Sequence, residues 1–461
     1  METRINTSIK TTRIAVIVGC VVLVIAIGIF ALIAFTGGGE TLSREEILLN
    51  MKELEREDPG YELVASYLSA YGIGNFDRAK FKTVEQYFIL TFYKPLPKAS
   101  EMARDTANAF LEQYYDSLDL ADTKATTDAL LRCYVEATGD IYSFYRTKEE
   151  YAEFEEDLSG ESTSVGIGVM IQANYQDVTL EIMSVLPHTP AEEAGLKSGD
   201  FIVAVDDIKL SEVGIDAIME AMRGEVGSTV RVTVKRGGEE ITVSATRQTL
   251  NEHSVFLNID SNKIATVQIT EFNAKTFEEF KEAVDSAVAQ NAKGIIFDMR
   301  NNPGGYLDAV IKAIDYVAPD GQIICTYTVG QSETTTYKSE DGHYVDLPMV
   351  VLCNYGTASA GELFTAALRD YAKAKTMSVR IVGENTYGKG IMQGSVPLYD
   401  GSVITYTMAY YNPPSGVNYD GVGIKPDVEL PYGEDDAQMK EAINQLSKLI
   451  YGPSGVPTPD L

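Results

Sequence analysis

Residues 355–370 read YGTASAGELFTAALRD, a cluster of very small side chains joined to a helix-period run. A serine at that junction has two readings. Its hydroxyl could cap the helix, because a side-chain oxygen satisfies one of the orphan N–H groups of a first turn. Alternatively Ser359 is a nucleophile held at a turn, with Thr357, Ala358, Ala360 and Gly361 leaving room for a substrate backbone. Attack on an amide also needs a base and donors for the developing oxyanion. Histidine is the usual base, but His188, His253 and His343 sit among ordinary loop residues, in LPHTP, NEHSV and DGHYV. Lys389, in NTYGKGIMQG, is the other candidate. A lysine in apolar surroundings loses part of its preference for the charged form and accepts a proton near neutral pH, the serine–lysine variant of the triad. Taken alone it reads more readily as a solvated lysine at a glycine turn. FDMRNNPGGYLDAV leaves a strand, turns through Pro303, Gly304 and Gly305 and enters a helix. Glycine N–H groups near a helix start make an oxyanion site, although NPGG by itself is simply a good turn.

These residues must be positioned by the elements around them. From Asn251 onward, strand and helix patterns alternate: KIATVQIT, TFEEFKEAVDSAVAQN, KGIIFDMR, LDAVIKAIDYVA, MVVLCN, then the helix after Ser359. GIIF and VVLC are apolar runs of the kind buried on both faces, so residues 251–432 read as an α/β core. Residues 433–461 hold one terminal amphipathic helix and a tail. Residues 162–250 change texture, with short β-branched runs and one helical patch, GIDAIMEAMRG, which describe a small partly open β-barrel. Residues 36–161 are rich in helix-period segments interrupted by Pro59, Pro95 and Pro97, a linker and helical arm.

The chain begins with a short tail, 1–13, and an uncharged run of 22 residues at 14–35. As a helix that run spans about 33 Å, enough for a hydrocarbon core, and it ends in TGGGE rather than a small-residue cleavage site. The reading is an uncleaved single-pass anchor. Arg4, Lys10 and Arg13 precede it and Glu40, Glu45 and Glu46 follow, so the N-terminus is expected in the cytoplasm and the bulk of the chain outside. A net charge of −29 argues against a nucleic-acid surface. Cysteines at 20, 133, 325 and 353 show no metal-ligand spacing.

Together, FDMRNNPGGYLDAVIKAI, NYGTASAGE, GENTYGKGIMQ, DGSVITYTMAYYNPPSGVNYDGVGIKPDV and the upstream GDIYSFYRTKEEYAEFEEDLSG resemble, in order, the signatures of the C-terminal processing peptidases, or tail-specific proteases. The likeness covers roughly residues 120–450. It implies a crotonase/ClpP-like mixed sheet, Ser359 as nucleophile, Lys389 as general base and Gln393 as the residue that orients the lysine. It further implies an oxyanion hole from backbone N–H groups of Gly304, Gly305 and Ala360, with no metal or organic cofactor. Ser359 and Lys389 stand thirty residues apart, several more than the family pattern, a surplus read as a lengthened surface loop in AKTMSVR.

SVGIGVMI and VLPHTPAEEAGLKSGDFIVAVDD resemble the carboxylate-binding loop of PDZ domains and the segment that follows it. Successive N–H groups of Ile167, Gly168 and Val169 would grip a terminal carboxylate while the next strand pairs with the peptide. Ile215, Ile218, Met219 and Met222 recur at helical spacing, as core residues do; in a PDZ groove, Ile218 and Met222 would also line the pocket for the last apolar side chain. The expectation is a membrane-anchored serine endopeptidase that captures free protein C-termini and cuts near them outside the cytoplasm. A catalytically silent PDZ scaffold, and a different enzyme on a crotonase-like core acting on small acyl compounds, are the rivals. The oligomeric state is open, a homo-oligomer included.

Overall fold

The structure is a computed structural model that describes residues 60–159, 165–174, 178–186, 189–197, 199–250, 253–329, 334–433 and 437–453. It opens with helices α1 (Gly60–Ser69), α2 (Arg78–Thr91), α3 (Ala99–Gln113) and α4 (Thr123–Ala137), then strand β1 (Phe144–Arg146) and α5 (Lys148–Ser159). Asp77 accepts the Lys80 N–H at the start of α2, and Asp122 accepts those of Lys124 and Ala125 at the start of α4. Both satisfy orphan first-turn donors.

The β-rich region follows as β2 (Val165–Gly166), β3 (Val169–Asn174), β4 (Thr179–Val185), α6 (Pro190–Glu193), β5 (Phe201–Val205), β6 (Ile208–Lys209), α7 (Leu210–Val213), α8 (Ile215–Met222), β7 (Thr229–Arg236), β8 (Glu239–Thr246) and β9 (Gln248–Thr249). Strands β3-β4-β5-β7-β8 form an antiparallel sheet, with β6 on β5, and β2 pairs with β9. Its core is aliphatic: Leu180, Ile182, Ile202, Val230, Val232 and Val234 are fully or almost fully buried.

The remaining elements are β10 (Val255–Ile259), β11 (Ile264–Ile269), α9 (Thr276–Ala289), β12 (Gly294–Asp298), α10 (Leu307–Val317), β13 (Ile323–Tyr327), β14 (Thr335–Lys338), β15 (Met349–Cys353), α11 (Ala360–Ala374), β16 (Val379–Gly383), β17 (Ile391–Pro397), β18 (Val403–Asn412), β19 (Val428–Glu429) and α12 (Ala437–Tyr451). One sheet runs β10-β11-β12-β15-β16-β19, parallel except for β10. One of its faces packs Ile296, Val350, Leu352 and Val382 against Ala442 and Leu446 of α12. Phe280 of α9, Phe297 of β12 and Phe364 of α11 make a ring cluster. The residues around AKTMSVR form the turn after α11, with Lys375 left-handed at φ 61°, and the first residues of β16. Strand β16 stays in register with β15, Met349 opposite Val379.

Two compact units emerge. Of the described residues, one contains those from Gly60 to Glu153 with those of the segments Thr326–Thr336 and Ile391–Tyr411; the other contains the remaining described residues. The β17–β18 hairpin, read from sequence as part of a continuous core, therefore groups with the helical arm. The reason is apolar: Val396, Ile404, Tyr406 and Met408 are buried in one cluster with Phe81, Phe88 and Leu130, and contiguous burial of this kind defines a core.

The expectation of a transmembrane helix is corrected. Residues 14–35 lie outside the described residues, and among the described residues no helix is long and apolar enough to cross a membrane. The fifteen-residue helices α3, α4, α11 and α12 would each span only about 22 Å against the roughly 30 Å of a hydrocarbon core. The described residues form an α/β core, a small β-rich region and a helical arm. The membrane anchor, the membrane as a partner through 14–35 and the cell-membrane placement with an extracytoplasmic catalytic part rested on that helix, and the described residues give them no support.

Candidate active site

Strands β12, β15 and β16 are adjacent and parallel, so the loops leaving their C-terminal ends share one edge of the sheet. That edge is where open α/β sheets bind ligands. The NPGG turn leaves β12, Ser359 lies between β15 and α11, and Lys389 follows β16. Every residue of β12 and β15 is buried, which leaves the chemistry to the loops.

Ser359 has φ 51° and ψ −116°. An ordinary N-cap serine is extended; a positive φ is uncommon and costly for a residue with a Cβ. A serine strained at a strand-to-helix turn is the geometry that holds a nucleophile clear of the backbone. Hydrogen bonds fix the turn from both sides. Ala358 N–H donates to the Asn302 carbonyl at 2.8 Å, and Thr357 Oγ1 donates to the Met299 carbonyl at 2.8 Å. Asn354 Oδ1 accepts the Asn301 N–H at 2.8 Å, and Asn354 Nδ2 donates to Asn301 Oδ1 at 2.7 Å.

The centre of the arrangement is Glu362, completely buried in the first turn of α11. One oxygen, Oε2, accepts the backbone N–H of Ser359 at 3.0 Å and that of Lys389 at 2.7 Å. The other, Oε1, accepts Thr386 Oγ1 at 2.5 Å and Gly388 N–H at 2.7 Å. Burial pushes the Glu362 carboxyl above its ordinary range, and the hydrogen bonds from Thr386, Lys389, Gly388 and Ser359 only partly oppose this. Serine and lysine backbones far apart in sequence therefore converge on one atom.

Gly304, at φ 105°, has no room for a side chain: a Cβ there would lie 2.6 Å from Ser359 Cβ and 2.9 Å from the Ala360 nitrogen. The glycine keeps the space beside the serine open. Its own N–H donates to Asn302 Oδ1 at 2.9 Å. Among the described residues no acceptor takes the N–H of Gly305 or Ala360, so of the three groups expected to make an oxyanion hole these two remain as donors. Ala360 opens a fifteen-residue helix, whose positive dipole end favours a developing anion.

Gln393 lies on β17, in the other unit, directly after a register slip between Met392 and Gln393. Its Nε2 donates to the Tyr142 carbonyl at 2.5 Å. The histidines stand elsewhere: His253 Nδ1 lies 2.8 Å from Glu279 Oε1, His343 Nδ1 lies 2.5 Å from the Tyr316 carbonyl, and His188 is outside the described residues. Cys133, Cys325 and Cys353 are buried free thiols; burial pushes the first two up to about 12 and the third higher than its ordinary range, so none is a competing thiolate. Among the described residues no cluster of His, Cys, Asp or Glu could hold a metal ion.

In the β-rich region, Ile167 and Gly168 are buried, and their carbonyls are taken by Ala191 N–H at 2.8 Å and Leu186 N–H at 2.9 Å. No acceptor among the described residues takes the N–H of either. Val169 begins β3 beside them. Ile218 and Met222 are packed into the core with Ile167. Sequence reasoning missed Glu362, the asparagines at 301, 302 and 354, and Tyr142. The first carried a signal: Ser359 and Glu362 have capping-box spacing.

The model of peptidase family S41 matches residues 263–430, and that of the PDZ domain matches residues 165–246. A "Probable CtpA-like serine protease" of Staphylococcus haemolyticus (strain JCSC1435) is 34% identical over 306 residues, 66% of this chain and 60% of that protein. One from Staphylococcus aureus (strain bovine RF122 / ET3-1) is 34% identical over 348 residues, 71% of this chain and 67% of that protein. The chain thus spans about two thirds or less of the length of these relatives. A solved photosystem II D1 C-terminal processing protease superposes with a TM-score of 0.53 at 25% identity, covering 76% of this chain and 92% of that one. By its sequence matches, the chain belongs to peptidase family S41, a family of serine-type endopeptidases, with a PDZ domain preceding its peptidase region.

Proposed function

We propose that the chain binds protein C-termini through its PDZ domain and cleaves near them, with Ser359 as nucleophile and Lys389 as general base. The observation that carries this reading is the shared Glu362 oxygen, which ties the serine turn to the lysine segment. Ser359 Oγ attacks the scissile carbonyl as Lys389 takes its proton. The N–H groups of Gly305 and Ala360 receive the developing oxyanion. Lys389 then returns the proton to the leaving amine, the acyl group stays on Ser359, and water completes hydrolysis with the lysine again as base. Gln393 orients the lysine. In the PDZ domain, the N–H groups of Ile167 and Gly168, with Val169 next to them, receive the substrate carboxylate, and β3 offers its edge to the peptide.

The test is incubation of the chain with an unstructured protein ending in apolar residues, followed by intact-mass analysis. The expected result is a truncated product with the natural chain and none with Ser359→Ala. Binding without any truncation would leave the scaffold reading in its place.

A further inference from the structure

Gln393 is held by a hydrogen-bonded block on the helical arm. The turn after α4 reads TGDIYSF, and three of its residues reach the β17–β18 hairpin within the same unit. The Tyr142 carbonyl accepts Gln393 Nε2 at 2.5 Å. Asp140 Oδ2 accepts Ser143 Oγ at 2.5 Å and Thr407 Oγ1 at 2.7 Å. The Thr407 N–H donates to Ser143 Oγ at 3.3 Å, and the Tyr142 N–H to Asp140 Oδ1 at 3.4 Å. Asp140, Ser143 and Thr407 are all buried. Gln393 and Thr407 are direct cross-strand partners, so the turn is gripped through both members of one rung.

We propose that Asp140, acting with Ser143 and Thr407, is the positioning residue that sets the Gln393 amide for its part in catalysis. A side-chain amide has two ends of similar shape and opposite polarity, and only its partners decide which way it points. Donation to the Tyr142 carbonyl fixes the nitrogen end, and with it the direction of the oxygen. Buried polar groups in such a block must be satisfied or they cost heavily, which makes the arrangement specific. The register slip beside Gln393 is the kind of bulge that re-aims a side chain near a site. Asp140 does not touch substrate in this account; it acts through Tyr142 and Gln393. The inference rests on the reading that Gln393 orients Lys389.

The experiment is a double-mutant cycle on cleavage of the apolar-tailed protein, with kcat and KM measured separately. Gln393→Ala lowers kcat about tenfold with little change in KM, Asp140→Ala lowers it by a similar factor, and the double variant is no worse than either. Thr407→Val, which keeps the shape and removes the hydroxyl, gives a smaller loss of the same kind and serves if Asp140→Ala does not fold. Thr405→Val is the control: its hydroxyl bonds Ser395 on the same hairpin, and its removal leaves kcat unchanged. Multiplying losses in the double variant, or full kcat in both a folded Asp140→Ala and Thr407→Val, overturn the inference. If Gln393→Ala itself has full kcat, the underlying reading of Gln393 fails instead.

Discussion

The peptidase core and the PDZ domain handle their candidate residues in opposite ways. In the core, Ser359 and the glycines at 304 and 305 depart from ordinary backbone geometry, at φ 51°, 105° and 135°. Hydrogen bonds to Asn302, Met299 and Glu362 hold the serine turn, and at Gly304 and Gly305 a side chain would collide with Ser359 and with the Phe272 backbone. In the PDZ domain, Ile218 and Met222 are buried among aliphatic neighbours. Among the described residues there, the backbone N–H groups of Ile167 and Gly168 have no acceptor. Reaction chemistry demands rare conformations and specific side chains, whereas tail recognition of this kind works through main-chain N–H groups that almost any residue could present.

The largest effects are expected at Ser359 and Lys389. Ser359→Ala and Lys389→Ala should each reduce cleavage by about four orders of magnitude or more, because members of a catalytic unit fail together. Lys389→Arg should fail as completely, since guanidinium does not deprotonate at neutral pH. Far-ultraviolet circular dichroism would confirm that the fold is kept. Glu362→Gln should lower kcat about 100-fold, the scale of a misplacement near 1 Å. An amide nitrogen would then face backbone donors now bound to a carboxylate oxygen, and a thermal melt should show the associated destabilisation.

Effects on the PDZ side should be smaller and of a different kind. Amidating the substrate's C-terminus should raise KM about tenfold, the scale of one lost charge-assisted hydrogen bond, with less effect on kcat. Gly168→Val would sharpen the contrast only in combination with a melting curve. Gly168 stands at φ 87°, and a Cβ there would lie 2.3 Å from Thr189 Cβ, so the variant should unfold at lower temperature as well as bind tails poorly.

Much of this was legible and some was not. Ser359, Lys389 and the NPGG turn are residue types that chemistry needs at strand ends, but each also reads as an ordinary cap, solvated lysine or turn, and only the ordered family motifs around them tip the reading. Gln393 was legible only through family resemblance, since a glutamine on a strand has no signature of its own. Glu362 showed its capping-box spacing, but its second task, receiving the lysine segment, depends on a contact across 27 residues. The grip of Asp140 on Thr407 spans 267 residues, beyond any local pattern. Helical periodicity marked the arm, yet nothing local indicated that the β17–β18 hairpin would share its core.

The smallest effect concerns a buried charge cluster in the helical arm's unit. Lys80 Nζ contacts Asp400 Oδ2 at 2.6 Å, Tyr145 OH at 2.6 Å and Asp128 Oδ1 at 3.1 Å. Burial works to raise the Asp400 carboxyl, but hydrogen bonds from Lys80 and Ser402 outweigh it and pull the group down to about 2. A carboxyl depressed in the folded state contributes stability that is present above its unfolded pKa, near 3.9, and lost as pH falls toward its folded value. Asp400→Asn should therefore lower the melting temperature at neutral pH and flatten its decline between about pH 4 and pH 2. Cleavage rates at neutral pH should change little as long as the chain stays folded.

Activation of Ser359 by Lys389 can be read from labelling with a serine-reactive fluorophosphonate, followed by intact-mass analysis and peptide mapping. A single adduct on Ser359 should form readily in the natural chain and about 100-fold or more slowly in folded Lys389→Arg, as expected when a nucleophile loses its general base. An adduct forming on Ser359 at the same rate in both would contradict that activation.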